Sequence, residues 1–196
     1  MEAELTRWAT RHGLAVDSST TPTLDGSGDS YAVFNADRTH RFALTRRWAA
    51  GGRTAVFVML NPSTAKAAAD DPTIRRCISA ARRTGHQALL VLNLFSIISA
   101  DPAVLVSDPQ PAGPLTDDAL TSLAHLGDTV IVAWGAGHSA IHNRADTVVQ
   151  LLLDQRLELA CLGTNRNGTP KHPVRLPESN PLIVYRLPAR AEGGIA

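Results

Sequence analysis

Three polar side chains in this sequence are of types that can bind a polar ligand or position a water molecule. Asn61 directly follows the apolar run VFVML, Asn93 ends the apolar run ALLVLN, and His172 lies beside Lys171 in a polar loop. An asparagine offers both a carbonyl acceptor and amide donors, and a histidine can donate or accept a proton. With a carboxylate such as Asp71 nearby, this set would also be able to move a proton.

Two of these residues also have a purely structural interpretation. Asn61-Pro62 is a common turn after a strand, because asparagine tolerates turn geometry and proline stops the strand. Asp71 is followed by Pro72, which is typical of the first turn of a helix with Asp71 as its N-cap. The sequence leaves both the structural and the chemical role of each residue open.

Four continuous apolar runs are expected to position these side chains. They cover residues 54–60, 88–95, 129–135 and 157–163, and helical patterns separate them. Strands that alternate with helices are typical of a layered α/β fold in which helices cover the crossovers. We therefore predict an α/β fold of three αβα layers with a mostly parallel four-stranded central sheet.

Ligands bind beyond the carboxyl ends of the strands in sheets of this kind. Asn61, Asn93, Trp134, Gly135 and the polar loop 164–173 all follow the predicted strands at their carboxyl ends. We therefore expect them to converge on one cleft.

The N-terminal part of the chain has a different pattern. Residues 1–30 combine a short helical pattern with a segment rich in Ser, Thr, Gly and Asp, which predicts a flexible or partly helical arm. Residues 31–50 predict an antiparallel hairpin around an Asn/Asp-containing turn. Residues 31–196 are then a single α/β domain, with its core over 55–188.

Composition excludes several classes of protein. The chain is 44% hydrophobic and has a formal net charge of +1, which excludes a disordered chain and a strongly basic nucleic-acid tail. Cys77 and Cys161 lie far apart, so cysteine alone cannot build a zinc or iron–sulfur site, and no metal or cofactor is expected. The N-terminus lacks the apolar core of a signal peptide, and no apolar run approaches the ~20 residues of a membrane span. We expect a cytoplasmic protein without a membrane partner.

Four short blocks, LNPSTA, NLF, WG and KHP, resemble in their order the motif series of the uracil-DNA glycosylase superfamily. They are also similar to the blocks of an uncharacterised bacterial domain-of-unknown-function family. The resemblance covers about residues 55–176 and implies a glycosylase-like fold. It implies that Asn61-Pro62 holds the hydrolytic water, that Asn93 reads a base edge, and that His172 contacts the base carbonyl.

The predicted site residues fall into three groups. The catalytic candidates are Asn61, Asp71 and His172. The substrate-binding candidates are Pro62, Ser63, Thr64, Asn93, Trp134 and Gly135. The nucleic-acid-binding candidates are Asn165, Arg166, Lys171 and Arg175.

The predicted function is that of a nucleobase- or nucleic-acid-binding protein that hydrolyses the N-glycosidic bond of a modified or damaged base. Such a reaction needs a positioned water and a donor facing the base, which the asparagines and the histidine supply. DNA is the expected partner, or else a nucleotide. Two alternatives stay open, namely a non-catalytic nucleic-acid or nucleotide-binding module and an enzyme that acts on a small nucleotide or nucleoside.

Overall fold

The computed structural model describes residues 1–23, 26–63, 69–101, 103–136, 139–177 and 179–188. The strands are β1 (Ala15–Thr23), β2 (Gly26–Phe34), β3 (Arg41–Arg47), β4 (Arg53–Met59), β5 (His86–Asn93), β6 (Thr129–Val132), β7 (Leu159–Cys161) and β8 (Ile183–Val184). The α-helices are α1 (Glu2–Arg11), α2 (Pro72–Arg83), α3 (Val104–Ser107), α4 (Thr116–Leu123) and α5 (Ser139–Asp154). Short 3-10 helices cover Ala124–Leu126 and Pro173–Arg175.

All eight strands form one mixed sheet in the order β1-β2-β3-β5-β4-β6-β7-β8. The neighbours among β5, β4, β6 and β7 are parallel, whereas β1–β2, β2–β3, β3–β5 and β7–β8 are antiparallel. Four of the seven pairings are therefore antiparallel. The predicted mostly parallel four-stranded central sheet is wrong, because the sheet has twice as many strands and mixed directions.

The strands that extend the sheet lack the apolar runs on which the prediction depended. β1 has the sequence AVDSSTTPT, and β8 is a two-residue strand whose side chains are exposed. Continuous apolar runs mark only strands that are covered on both faces. Residues 1–30, for which the sequence predicts a flexible or partly helical arm, hold α1, β1 and the first residues of β2, and β2 pairs with β3 across the turn at 35–40.

Helices cover both faces of the sheet. Phe57 of β4 packs in the hydrophobic cluster that contains Ile74 and Cys77 of α2. Its neighbour Val56 packs in the other cluster, with side chains of α1, α4 and α5 such as Leu120. Successive side chains of a strand point to opposite faces, and both faces are covered, so residues 55–59 of β4 and 88–92 of β5 are all apolar. None of the helices in the described part of the chain has the length and apolar character needed to cross a lipid bilayer.

The carboxyl ends of the parallel strands and the amino end of β3 lie at one edge of the sheet. β4, β5, β6 and β7 are parallel, so their carboxyl ends lie on the same side. β3 is antiparallel to β5, so its first residue, Arg41, lies at that same edge, where its backbone N–H donates to the carbonyl of Ser96 over 2.8 Å. Side chains from distant parts of the chain therefore come together there.

Candidate functional site

A cleft of about 690 Å³ lies at the carboxyl edge of the parallel strands. Its volume is within the range of small-molecule binding sites. Nine of the predicted site residues line it, namely Asn61, Ser63, Asp71, Asn93, Trp134, Gly135, Asn165, Lys171 and His172. The lining also includes the apolar side chains of Met59, Ile74, Val91, Val174 and Leu176.

The side chain of Asn61 has a defined orientation. Its amide nitrogen donates to the carbonyl of Ser99 over 2.8 Å and to the carbonyl of Pro62 over 3.1 Å. Because the nitrogen is held by two acceptors, the network assigns the other terminal atom as the oxygen. That oxygen is the group of Asn61 that can accept a hydrogen bond from water or a ligand.

Pro62 stabilises the turn that holds Asn61. It is buried, and its carbonyl also accepts from the backbone N–H of Ser99 over 3.0 Å. Pro62 is not one of the residues that line the cleft. Pro62 therefore connects the turn at Asn61 to the backbone at Ser99. Thr64, the next predicted contact after Ser63, lies outside the described residues.

Asp71 caps helix α2, as the Asp-Pro sequence predicts. One carboxylate oxygen accepts from the backbone N–H of Ile74 over 2.8 Å, and the other accepts from the hydroxyl of Ser63. A side-chain oxygen at the N-cap satisfies one of the unpaired N–H groups of the first turn. Its neighbour Asp70 instead forms an ion pair with Arg46 over 2.7 Å. The catalytic role of Asp71 stays a prediction.

His172 begins the 3-10 helix Pro173–Arg175. Its Nδ1 accepts from the backbone N–H of Val174 over 3.3 Å, so the neutral ring carries its proton on Nε2. A neutral histidine in this tautomer is a donor through Nε2. Gly135 packs directly against His172, which joins the end of β6 to the late loop.

The late loop contributes residues with different roles. Asn165 lines the cleft, but its amide also donates to the hydroxyl of Thr169 over 3.0 Å, which braces the loop. Lys171 lines the cleft, whereas Arg166 is exposed and does not. Arg175 has its backbone in the 3-10 helix, and its side chain lies outside the described part of the structure.

Asn93 and Trp134 are almost completely buried in the wall of the cleft. The amide nitrogen of Asn93 and the indole nitrogen of Trp134 have no hydrogen-bond partner within the described part of the chain. The Trp134 ring packs edge-on against Tyr185 with 6.0 Å between ring centroids, and burial raises the pKa of Tyr185 to about 12. An acceptor atom of a bound ligand would satisfy these two donors.

Arg41 lines the cleft and was not predicted. It is buried, and burial lowers the pKa of its guanidinium to about 10, against the opposing effect of the Asp71 carboxylate. Nothing in the sequence separates Arg41 from Arg38, Arg46 or Arg47, which surround it in the same hairpin. Only the position of β3 beside β5 brings it into the site. Across the residues that the structure describes, no group of three or more His, Cys, Asp or Glu side chains is arranged to hold a metal ion.

A protein family described as a protein of unknown function, DUF1643, matches residues 41–174. The chain belongs to the DUF1643 family. The prediction of an uncharacterised domain-of-unknown-function family is confirmed at this level, and the match gives no indication of the uracil-DNA glycosylase superfamily. The DUF1643 region contains every lining residue of the cleft except Leu176. No curated protein matches this chain.

Proposed function

We propose that this DUF1643 protein binds a nucleobase in its cleft and hydrolyses the N-glycosidic bond between a modified or damaged base and its sugar. The motif blocks that resemble the uracil-DNA glycosylase superfamily suggest this reaction. The observation that carries the proposal is that Asn61 and His172 line one cleft with complementary hydrogen-bonding groups. Asn61 offers an acceptor for water, and His172 offers a donor for the base.

Each side chain has a defined part in the reaction. The oxygen of a water molecule, held by the Asn61 carbonyl, bonds to C1′ of the sugar. The bond between C1′ and the base nitrogen breaks, and its electron pair leaves with the base. The Nε2–H of His172 donates to the base and stabilises the negative charge that develops there. Asn93 offers its amide to the base edge.

The proton that the water loses needs an acceptor, because asparagine cannot take it. Asp71 lines the cleft, whereas Asp70 does not and is paired with Arg46. We assign the role of proton acceptor to Asp71. Both of its oxygens already accept hydrogen bonds from Ile74 and Ser63, so a rearrangement of the Ser63 hydroxyl accompanies proton transfer.

The hydrogen bonds that Asp71 already accepts favour a second candidate function, which is binding without hydrolysis. A cleft in which no carboxylate takes the proton would hold a base or nucleotide and release it unchanged. A cleft of about 690 Å³ also suits a free nucleotide or nucleoside. Cleavage assays separate these candidates from the leading one.

DNA is the polymer that we propose as partner, with Lys171 at the cleft and Arg166 exposed on the neighbouring loop as phosphate contacts. We place the reaction in the cytoplasm, in keeping with two cysteines that are free and buried. Binding to a polymer should weaken steeply with added salt, because phosphate contacts release counterions. Binding of a nucleoside should be almost insensitive to salt.

The test is a panel of oligonucleotides, each with one modified base, incubated with the protein and then treated with alkali to break abasic sites. We expect strand cleavage at one class of base. Asn61→Ala and His172→Ala should each slow base release by about 100-fold or more.

Two variants far from the cleft serve as matched controls. Gln150→Ala removes an exposed amide on α5, and His125→Ala removes an exposed imidazole in the 3-10 helix Ala124–Leu126. Both should retain the native rate. Base release that survives Asn61→Ala and His172→Ala unchanged would overturn the assignment of the site, and binding without release from any oligonucleotide would favour the second candidate.

A further inference from the structure

The wall of the cleft contains three buried side chains with nitrogen donors, and the proposed reaction gives a role to only one of them, Asn93. Arg41 is 3% exposed, Asn93 is 4% exposed and Trp134 is 3% exposed. All three line the cleft. The Asn93 amide nitrogen and the Trp134 indole nitrogen have no protein partner among the described residues. A buried donor without an acceptor costs free energy, which a ligand with acceptor atoms would recover.

Arg41 and Asn93 lie at the same edge of the sheet. β3 and β5 are antiparallel partners, and the backbone N–H of Arg41 donates over 2.8 Å to the carbonyl of Ser96, three residues after Asn93. Arg41 pairs with Phe34, which belongs to the cluster on the α2 face, and cross-strand partners share a face. Val91, two residues before Asn93, belongs to the same cluster. Arg41 and Asn93 therefore face the same side of the sheet.

The charge of the cleft also favours a ligand that offers acceptors. Arg41 and Lys171 bring two positive charges to the described lining, whereas Asp71 brings one negative charge. The Asp71 oxygens already accept from Ile74 and Ser63. The largest influence on the Arg41 guanidinium is its burial, which lowers its pKa more than Asp71 raises it. An acceptor group of the ligand beside Arg41 would add to the interactions that this residue already makes.

We propose, on the basis of the proposed function, that the base held in the cleft is a 6-oxopurine whose O6 and N7 atoms both accept hydrogen bonds from the Arg41 fork, while Asn93 donates its amide to the same edge of the base. O6 and N7 are adjacent acceptors on one edge of the ring, and the arginine fork matches them well. Adenine has an amino donor in place of O6, which would face the donors of the wall. Met59, Val91 and Ile74 supply the apolar contacts that a flat ring needs.

The test is calorimetric titration of the full chain with nucleosides, which needs no substituted protein. 7-Deaza-2′-deoxyguanosine differs from 2′-deoxyguanosine by the loss of the N7 acceptor. We expect 2′-deoxyguanosine to bind about tenfold or more tightly than 7-deaza-2′-deoxyguanosine, 2′-deoxyadenosine and 2′-deoxycytidine, which is the usual discrimination of one bidentate contact.

A pair of arginine variants then tests which side chain is responsible. Arg41→Lys keeps the positive charge but removes the fork. The variant should bind 2′-deoxyguanosine and its 7-deaza analogue with about equal affinity. Arg47→Lys is the matched control, because Arg47 is on the same strand and pairs with Glu2 over 2.6 Å outside the cleft. It should retain the native preference. Circular dichroism of both variants checks that they fold.

Each remaining outcome decides for or against the inference. Equal binding of the deoxyguanosine pair, tighter binding of 2′-deoxycytidine, or no nucleoside binding overturns it. Displacement of 2′-deoxyguanosine by inorganic phosphate from the native protein, but not from Arg41→Lys, would overturn the inference and identify the wall as a phosphate subsite. Release of a base other than a 6-oxopurine from oligonucleotides overturns this inference and leaves the hydrolysis standing. Selective binding of 2′-deoxyguanosine without release of any base supports this inference and overturns the hydrolysis.

Discussion

A Cβ atom at Gly135 would lie 3.0 Å from the Cβ of His172, so Gly135, three residues after the end of β6, is in direct contact with the late histidine. The backbone of Gly135 also has a φ of +86°, in the left-handed region that glycine adopts without strain. This contact sets how deeply the histidine loop approaches the cleft. It links the segment after the third parallel strand to the loop that supplies the proposed donor.

Gly135→Ala should therefore lower activity as well as stability. The added methyl group displaces His172 by a few tenths of an ångström and strains the backbone at 135. We expect about 1–2 kcal/mol of lost stability and about a tenfold slower release of the base, because small displacements of a reacting group are costly. Urea unfolding and the alkali cleavage assay measure the two effects.

Gly85→Ala is the matched control for this substitution. Gly85 has a φ of +77°, and a Cβ there would meet no atom within 4 Å. It should lose a similar amount of stability and keep the native rate of base release. An equal loss of rate in both variants would show that general destabilisation, rather than the His172 contact, is responsible.

Substitutions of Asp71 separate its capping role from its proposed catalytic role. Asp71→Asn keeps an oxygen that accepts from the Ile74 N–H, whereas Asp71→Ala removes it, and both remove the charge near Arg41. The alanine variant should be less stable than the asparagine variant by about 1 kcal/mol in urea unfolding.

Both Asp71 variants should slow base release by about 100-fold if this carboxylate takes the proton from water. Single-turnover kinetics on the preferred oligonucleotide measure the rate. An Asp71→Asn variant with the native rate would restrict Asp71 to its place at the start of α2.

The stability of the protein should decrease in mild acid because of His86. This residue is buried between the hydroxyls of Thr84 and Thr129, at 2.9 and 3.1 Å, and burial lowers its pKa below the ordinary value of 6.5. Below pH 6.5 the unfolded chain therefore binds a proton that the folded chain resists. Stability is lost as the pH falls from 6.5 towards the lower folded pKa.

Urea unfolding of the native protein and of His86→Gln between pH 7.5 and pH 5 tests this expectation. The variant should show a weaker decrease of the unfolding free energy with acidification. His125→Gln, which changes an exposed histidine, should show the native pH dependence. Identical pH dependence in the native protein and His86→Gln would assign the acid sensitivity to other groups.

Neither cysteine should react in the folded protein. Cys77 and Cys161 are free and fully buried, and burial raises the pKa of both thiols. The thiolate is the reactive form, so both access and ionisation oppose modification. A thiol reagent such as 5,5′-dithiobis(2-nitrobenzoic acid) should release colour only after denaturant is added.

A Ser122→Cys variant provides the positive control, since Ser122 is exposed on α4. It should react with one equivalent of the reagent without denaturant. Rapid reaction of the native protein would mean that α2 or β7 opens far more readily than its burial implies.

The local sequence pattern determined several parts of the site. The apolar runs that contain β4, β5 and β6 mark strands covered on both faces, and Asp71-Pro72 marks the start of α2. Asn61 and Asn93 are recognisable because each stands where an apolar run ends. Burial and helix capping act between residues close in the chain, so a local pattern carries this information.

Tertiary structure alone decided which strands are neighbours. The pairing of β3 with β5 depends on contacts between residues more than forty positions apart, as between Leu44 and Val91, and no local pattern specifies such a partner. That pairing extends the sheet with antiparallel strands and buries Arg41 in the same cleft as Asn61, Asn93 and His172. The sequence by itself determined which side chains end the strands, and only the fold decided that a buried arginine joins them.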